Sequence, residues 1–288
     1  MSVSTAMRPT LLVDGKNCLY RAIFANQKSD SKQHHMTVML RFMRSWMLQF
    51  NPKDVFVFWD APRADVWRRK ILTTYKDRSG EYTQNVEEDV QSMLITAKEM
   101  FSHMNIRQFS RPTMEADDLI YSACRVLSPT PLVICSSDSD YIQIPYKMNN
   151  VRVFEPRQGK IIEPEQYDPA VQKALMGCKT DVVEGYDGIG KVKSAKLASD
   201  SMARSQFLKN TGRLMFARNM LLVDLSLCPK LLENDLYIMA VLNEAITYSK
   251  DTIIGLIQKH KLTGLISEIH DLVVPYKALS KTEDAKIE

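Results

Sequence analysis

The chain has 288 residues, 45% of them apolar and 25% charged, with a formal net charge of +4, which suits a soluble globular protein of one large or two small domains. No apolar run approaches the roughly 20 residues that cross a bilayer, and "MSVSTAMRPT" lacks the apolar centre of a signal peptide and reads as a loose tail. Five cysteines (Cys18, Cys124, Cys135, Cys178, Cys228), odd in number and with no Cys-x-x-Cys pair, argue against a disulfide framework or a zinc site and for free thiols in a reducing cytoplasm.

Along the chain, "TLLVD" is an unbroken apolar run ending at Asp14, "DVFVFWD" ends at Asp60, and "PLVICSSDSD" ends at Asp138 and Asp140. Each has the length and composition of a strand buried on both faces. The helical patterns "NCLYRAIFANQ", "MTVMLRFMRSWMLQF" and "EADDLIYSACRVL" separate them. The alternation predicts βαβ units and an α/β fold with a mostly parallel central sheet flanked by helices. The carboxyl ends of such strands line one crevice, so the acids of all three runs are expected on one rim. A single Asp after a strand is ordinarily the N-cap of the next helix; three such ends, one of them doubled, exceed that need.

Residues 63–113 are long for a crossover, and "VEEDVQSMLITAKEMFSHM" within them reads as a helix, so the stretch is expected to be a helical excursion near the site. "EADD" then sets Glu115, Asp117 and Asp118 at a helix start. One acid there suits the helix dipole, but three in four residues repel one another unless a cation or several donors neutralise them. "VRVFEPRQGKIIEPEQY" predicts a hairpin or sheet edge. From Asp168 the pattern is helical, with "MFARNMLLVDLSL" and "DLYIMAVLNEAITYSKDTIIGLIQKHKL" as amphipathic helices and "LSKTEDAKIE" as a polar tail.

With Asp181, the acids Asp14, Asp60, Glu115, Asp117, Asp118, Asp138 and Asp140 make a set of eight around one crevice. An all-oxygen set without His or Cys at zinc spacing suits Mg²⁺ or Mn²⁺. Eight carboxylates are too many for one ion and point to two, about 3.5–4 Å apart, the arrangement that activates a water and steadies the leaving oxygen in phosphodiester cleavage.

"RADVWRRKILTTYKDR", Arg63 to Arg78, directly follows Asp60 and holds six basic residues against two acids. A basic segment beside a metal cluster brings a polyanion to the metals; the alternative is a solvated charged helix face. Trp67, Tyr75 and Tyr82 offer stacking surface for unpaired bases, and Trp67 equally suits a core. "GYDGIGKVKSAKLAS" sets Gly185, Gly188 and Gly190 before Lys191, Lys193 and Lys196. Its Gly-Ile-Gly turn exposes backbone N–H groups at a helix start, an array that binds phosphate oxygens without reading bases.

Taken together and in this order, "LLVDGKNCLYRA", "VFVFWD…RRK…YKDR", "EADD", "SSDSDYIQI", "MGCKTDVVEGYDGIGKVKSA" and "RNMLLVDL" resemble the flap endonuclease / 5′–3′ exonuclease family, especially the free-standing bacteriophage 5′ nucleases and the 5′-nuclease domain of bacterial DNA polymerase I. The matches run from about Leu11 to Leu225. The resemblance implies a PIN-like, resolvase-like α/β nuclease domain over 1–168 with a helical arch at about 63–113, and a helical region over 169–288 with a helix–three-turn–helix at about 169–200. It implies a first metal held by Asp14, Asp60, Glu115 and Asp117, and a second held or steered by Asp117, Asp138, Asp140 and Asp181. Tyr20 would stack on the base near the scissile phosphate, with Tyr75 close by. Arg21 and Arg68 would contact the backbone or the 5′ region. Lys76 in the arch would help polarise the scissile phosphate, with Arg78 nearby. The Gly188–Gly190 turn, with Lys191, Lys193 and an assisting K⁺, would grip duplex. The implied reaction is structure-selective, metal-dependent hydrolysis at 5′ flaps and 5′ ends of DNA, RNA primers included, in replication or repair. The implied partners are branched DNA with a 5′ single-stranded end, an RNA–DNA hybrid, and a replicative polymerase or single-strand-binding protein. The implied setting is a monomer, away from membranes, in the cytoplasm, that of an infected bacterial host if phage-encoded.

Four positions depart from the family pattern. Cys178 stands where the family has its first Asp, and Val182-Val183 where it has Asn-Ile; Tyr75-Lys76-Asp77-Arg78 is one residue shorter than the family block, and Val192 stands where Lys is common. A neutral thiol at 178 removes one negative charge from the second metal site, which predicts weaker occupancy there. Two other readings stand beside the nuclease: a catalytically weak DNA-structure binding protein on the same fold, motivated by Cys178, and a PIN-like RNase, which leaves the glycine turn unexplained.

Overall fold

The structure is a computed structural model that describes residues 7–25, 31–77, 84–268, 271, 275–277 and 279. Its centre is a six-stranded sheet in the order β3-β2-β1-β4-β5-β6. The strands are β1 (Thr10–Asp14), β2 (Asp54–Trp59), β3 (Ile106–Ser110), β4 (Leu132–Cys135), β5 (Val151–Glu155) and β6 (Lys160–Ile162). The first five run parallel, and β6 returns antiparallel to β5 across the Pro-Arg-Gln-Gly turn. The unbroken apolar runs are the strands covered on both faces: all five residues of β1 and all four of β4 are buried.

Side-chain alternation along β1 sorts the core into two layers. Leu11 and Val13 face one layer, with α1 (Gly15–Phe24), α2 (Lys32–Phe50), α3 (Gln84–Phe101) and, from the far end of the chain, Ile253, Ile257 and Tyr276. Leu12, with Phe56 and Phe58 of β2, faces the other layer, against α4 (Ala116–Val126) and Ile238 of a C-terminal helix. A smaller pair of apolar clusters holds the helices α6 (Pro169–Met176), α7 (Lys191–Ser199), α8 (Ser201–Thr211) and α9 (Arg213–Val223), which follow the short α5 (Gln143–Lys147).

One sequence expectation is corrected. Residues 63–113 are not one helical excursion: Ile106–Ser110 is the edge strand β3, and α3 buries Val90, Met93, Ala97 and Met100 in the sheet's core, so it is an ordinary crossover helix. After the short 3₁₀ turn Trp67–Lys70 the chain packs Ile71, Leu72 and Tyr75 into an apolar cluster with Ala170 and Ala174, and Arg78 and Tyr82 lie outside the described residues. From Pro169 on, the described elements are helices and 3₁₀ turns, of which α10 (Leu231–Leu242) packs on α4 and α11 (Lys250–Lys259) completes the first core layer. Strand β1 covers TLLVD, Thr10 to Asp14; residues 1–6 and most of the polar C-terminal tail lie outside the described residues. Cys18, Cys124, Cys135 and Cys228 are buried free thiols and Cys178 is a half-buried one. Among the described residues no helix is long and apolar enough to cross a membrane.

The strand order reverses at β1, whose chain runs outward through β2 and β3 and then returns to β4 on the opposite side. The crevice outside the carboxyl ends at such a reversal is where open α/β sheets bind ligands. Register places the acids there: Asp14 pairs with Phe58, two residues before Asp60, and Cys135 pairs with Val13, three residues before Asp138.

Candidate active site

A cavity of about 250 Å³ opens at this crevice, and Asp14, Asp60, Glu115, Asp117 and Asp138 line it together with Lys16, Tyr20, Lys76 and Tyr141. Each acid is aimed by a local rule. Asp14 ends β1 and caps α1, its Oδ1 accepting from the Asn17 amide at 3.0 Å. The same carboxylate accepts from the Tyr141 hydroxyl at 3.0 Å, which turns Oδ2 toward β4. Asp60 Oδ1 accepts from the Ala116 amide at 2.8 Å, tying the end of β2 to the N-terminus of α4. Asp138 caps the turn after β4 by accepting from the Asp140 amide at 3.0 Å.

Charge divides the acids into two groups. In the first, opposite charges alternate along a chain. Lys173 Nζ lies 2.5 Å from Asp140 Oδ1 and 2.8 Å from Asp181 Oδ2. Asp181 Oδ1 lies 4.0 Å from Lys76 Nζ, which lies 2.6 Å from Glu115 Oε1. Glu115 Oε2 meets Arg68 at 2.7 Å, and Arg68 grips Asp118 through both terminal nitrogens, at 2.9 and 3.0 Å. Burial pushes the Glu115 carboxyl up, but Lys76 and Arg68 together hold it below its ordinary range; Lys173 and Lys76 likewise overcome burial at Asp181 and hold it low.

The second group is under-compensated. Burial, then the neighbouring Asp60, raises Asp14 to about 7; burial, then Asp140, raises Asp138 to about 6. Asp117 is raised well above its ordinary value, first by burial and then, against the pull of Arg68, by Asp118 and Glu115. Lys16 stands 3.7 Å from Asp60. Carboxylates crowded at one cavity, with Asp14 and Asp117 buried, Asp60 half-exposed and Asp138 exposed, suit a hard divalent cation; Asp14, Asp60, Asp117 and Asp138 could hold it, whereas both Glu115 oxygens already accept from Lys76 and Arg68.

Several expected site residues sit elsewhere. Glu115, Asp117 and Asp118 each offer an oxygen within 4.8 Å of the others, yet Asp118 is fully buried and its oxygens already accept from Arg68, from the Trp67 indole at 2.9 Å and from the Glu115 amide at 3.1 Å. Arg68 is 1% exposed and stacked on Trp67, so it braces α4 from inside and offers no surface to DNA. Tyr75 is buried in the cluster of Val66, Ala170 and Ala174, closed to a stacking base. Arg21 donates to the Pro156 carbonyl at 2.7 Å and lies over the Phe42 ring, on the β5–β6 side of the crevice. Tyr20 does line the cavity, and Lys76 enters it from a left-handed backbone conformation (φ 50°) fixed by its amide, which donates to the Asp181 carbonyl at 3.0 Å.

The glycine turn is joined to this site through α6. Asp168 caps that helix and Pro169 opens it. Its Lys173 reaches Asp140 and Asp181, while the neighbouring Gln172 donates to the Lys191 carbonyl at 3.1 Å. Asn219, fully buried, donates to the Ala174 and Glu184 carbonyls and so clamps α6 to the turn. Between them Cys178 and Val183 exchange both backbone hydrogen bonds, closing a small loop that carries Asp181. A Cβ on Gly185 would lie 2.1 Å from the Met176 carbonyl oxygen, so this crossing admits only glycine. Gly188 (φ 68°) and Gly190 are exposed, Gly190 is the N-cap of α7, and Lys191 and Lys193 are exposed in its first turn.

Sequence reasoning missed Lys16, Tyr141, Lys173 and Asn219. Tyr141 directly follows the acidic strand end, and Asn219 lies inside the "RNMLLVDL" motif, so both stood next to a signal. Lys173 is one lysine in an otherwise unremarkable helix, and its partners lie 33 residues before and 8 residues after it.

The site thus joins carboxylates at the reversal point of a parallel sheet, an entering lysine and a tethered glycine turn. The family model for the 5′–3′ exonuclease N-terminal resolvase-like domain matches residues 9–175, more than half of the chain. The chain belongs to the 5′–3′ exonuclease family. The 5′–3′ exonuclease of Halalkalibacterium halodurans is 28% identical over 208 residues, 64% of this chain and 67% of that protein. The thermostable DNA polymerase I of Thermus thermophilus is 27% identical over 218 residues, 70% of this chain and 25% of that longer protein. In fold, the chain is similar to the bacteriophage T5 flap endonuclease solved with DNA and metal ions (TM-score 0.66, 17% identity, 89% of this chain and all of that one). It is also similar, more distantly, to the catalytic core of Rad2 solved with DNA (TM-score 0.53, 15% identity, 93% of this chain and 94% of that one).

Proposed function

We propose that this nuclease cuts phosphodiester bonds at the 5′ ends and 5′ flaps of branched DNA, RNA primers included, in replication or repair. The observation that carries the reading is a cavity lined by carboxylates beside a second acidic pair, Asp140 and Asp181, which α6 ties through Lys173 to the segment of an exposed glycine turn. Asp14, Asp60, Asp117 and Asp138 would hold Mg²⁺ or Mn²⁺, which when bound supplies a water of lowered pKa and counter-charge for the phosphate.

The chain's own residues do the positioning. Lys76, at the cavity mouth and paired to Glu115, exchanges that partner for an oxygen of the scissile phosphate when substrate enters, and its fixed backbone keeps the ammonium on the cavity side. Lys16 meets the phosphate from the Asp60 side. Tyr20 offers its ring to the base beside the cut. The free N–H groups at the start of α7, with Lys191 and Lys193, hold a duplex phosphate without reading sequence, and K⁺ at the Gly188 turn belongs to the same proposal. Because α6 ties the turn to Asp140 and Asp181 beside the cavity, the grip on the duplex sets which phosphodiester meets the carboxylates. A monomer in the cytoplasm, acting beside a replicative polymerase or a single-strand-binding protein, suits this chemistry.

The test is a time course on one 5′-labelled flap substrate with Mg²⁺ titrated. Short labelled products that need Mg²⁺ are expected; equal cleavage in EDTA would overturn the reading.

A further inference from the structure

The position between Asp140 and Asp181 does not suit a divalent ion. Both carboxylates already share one ammonium, with Lys173 Nζ at 2.5 and 2.8 Å, distances at which a charged hydrogen bond is fully formed. An ion of +2 charge placed between the same oxygens would sit against that ammonium and repel it. The remaining ligand position is filled by a thiol: Cys178 Sγ lies 3.0 Å from Asp181 Oδ2 and acts as its donor. A protonated thiol is a poor ligand for a hard cation, and here it adds a hydrogen bond to the lysine-bound carboxylate. Asp181 is flanked on its other oxygen by Lys76, at 4.0 Å. Asp181 therefore accepts from both Lys173 and Cys178, with Lys76 near its other oxygen.

Lys173 is built into this place. Its side chain is 17% exposed, and its helix is capped by Asp168 and clamped by Asn219. The neighbours Ala170 and Ala174 anchor the same helix in a buried cluster.

We propose that the Lys173 ammonium replaces the second metal ion of this active site, so that the chain holds a single divalent cation, at Asp14, Asp60, Asp117 and Asp138. The inference deepens the nuclease reading and rests on it for the reaction, but its main test needs no cleavage. It amends the two-ion expectation drawn from the count of eight acids, four of which (Glu115, Asp118, Asp140 and Asp181) are already paired with Arg68, Lys76 or Lys173.

The experiment is a Mn²⁺ titration of the full chain in the absence of DNA, followed by electron paramagnetic resonance and calorimetry, in wild type, Lys173→Met, and Lys173→Met with Cys178→Asp. The wild type is expected to bind one Mn²⁺ with an uncoupled spectrum, and the double variant two, with the exchange-broadened signal of a close ion pair. Two ions in the wild type would overturn the proposal, as would a folded double variant that still binds one. Should the double variant fail to fold, the wild-type stoichiometry still decides. A protein that binds one ion and cuts no flap DNA would refute the nuclease reading and leave this inference standing. A protein that cuts flap DNA and binds two ions would do the reverse.

Discussion

Replacing Arg68 by methionine tests the most consequential reassignment, that of a presumed DNA contact to an internal brace. Arg68 is 1% exposed, bidentate to the fully buried Asp118, 2.7 Å from Glu115, and donates to the Leu222 carbonyl at 2.9 Å. Arg68→Met leaves Asp118 charged in the core without its cation, which costs about 3–5 kcal/mol, a large part of the roughly 5–15 kcal/mol that separates folded from unfolded chains. At about 2–4 °C per kcal/mol for a chain of this order of size, the melting temperature should fall by roughly 10 °C. Adding Asp118→Leu removes both charges together and should restore much of the loss; recovery is partial, because the Trp67 indole then lacks its acceptor. Thermal and urea unfolding of the three proteins in EDTA read this directly. Unchanged stability in Arg68→Met, combined with weakened flap binding, would refute the buried-brace account and return Arg68 to the DNA surface.

Other expectations follow from the same geometry. Val182 holds φ 57° with its side chain 40% exposed, a left-handed conformation that costs a β-branched residue about 1–2 kcal/mol; Val182→Asn should raise stability by about 1 kcal/mol, measured by urea unfolding, and no change would mean that the loop carries no strain. Gly185→Ala forces a methyl against the Met176 carbonyl and should destabilise the chain by more than about 2 kcal/mol, checked in the same assay. Asp14, raised to about 7 chiefly by burial, binds its proton more tightly folded than unfolded. Its contribution is therefore full below the unfolded carboxylate value, near pH 4, and is lost as pH rises to about 7. In EDTA the melting temperature should fall across that window, and both Asp14→Asn and added Mg²⁺ should flatten the slope. Lys191→Ala and Lys193→Ala should each weaken duplex binding alike across sequences and lower the salt slope by about 1, read by anisotropy at several salt concentrations.

The parts of this molecule that were legible beforehand are those whose cause is local. Unbroken apolar runs ending in Asp can be little other than central strands of a parallel sheet, so Asp14, Asp60 and Asp138 were placed on one rim before any coordinates. The hairpin around Pro156–Gly159 and the glycine turn before α7 are likewise written in turn chemistry. Strand β3 was missed because "IRQFS" is an edge strand with Arg107 and Gln108 half-exposed, polar enough to pass for a loop. The fates of Arg68, Tyr75 and Lys173 were hidden because each depends on a partner far along the chain: Asp118 lies 50 residues from Arg68, and Asp140 lies 33 from Lys173. A basic stretch looks the same whether its arginines face water or a buried carboxylate. Cys178 was legible as a departure, but the lysine that makes sense of it was not.

The central claim is that the under-compensated carboxylates of the β1–β4 crevice cut DNA rather than merely brace the fold. Asp117→Asn keeps the hydrogen bond that Asp117 Oδ1 accepts from the Asp118 amide at 2.7 Å, so the folded chain and its grip on DNA should survive while the charge is lost. Flap binding and Mg²⁺-dependent cleavage measured on one labelled substrate should show wild-type affinity and a rate lower by roughly a hundredfold or more, about 3 kcal/mol of barrier. Cleavage at the wild-type rate by Asp117→Asn would contradict the account.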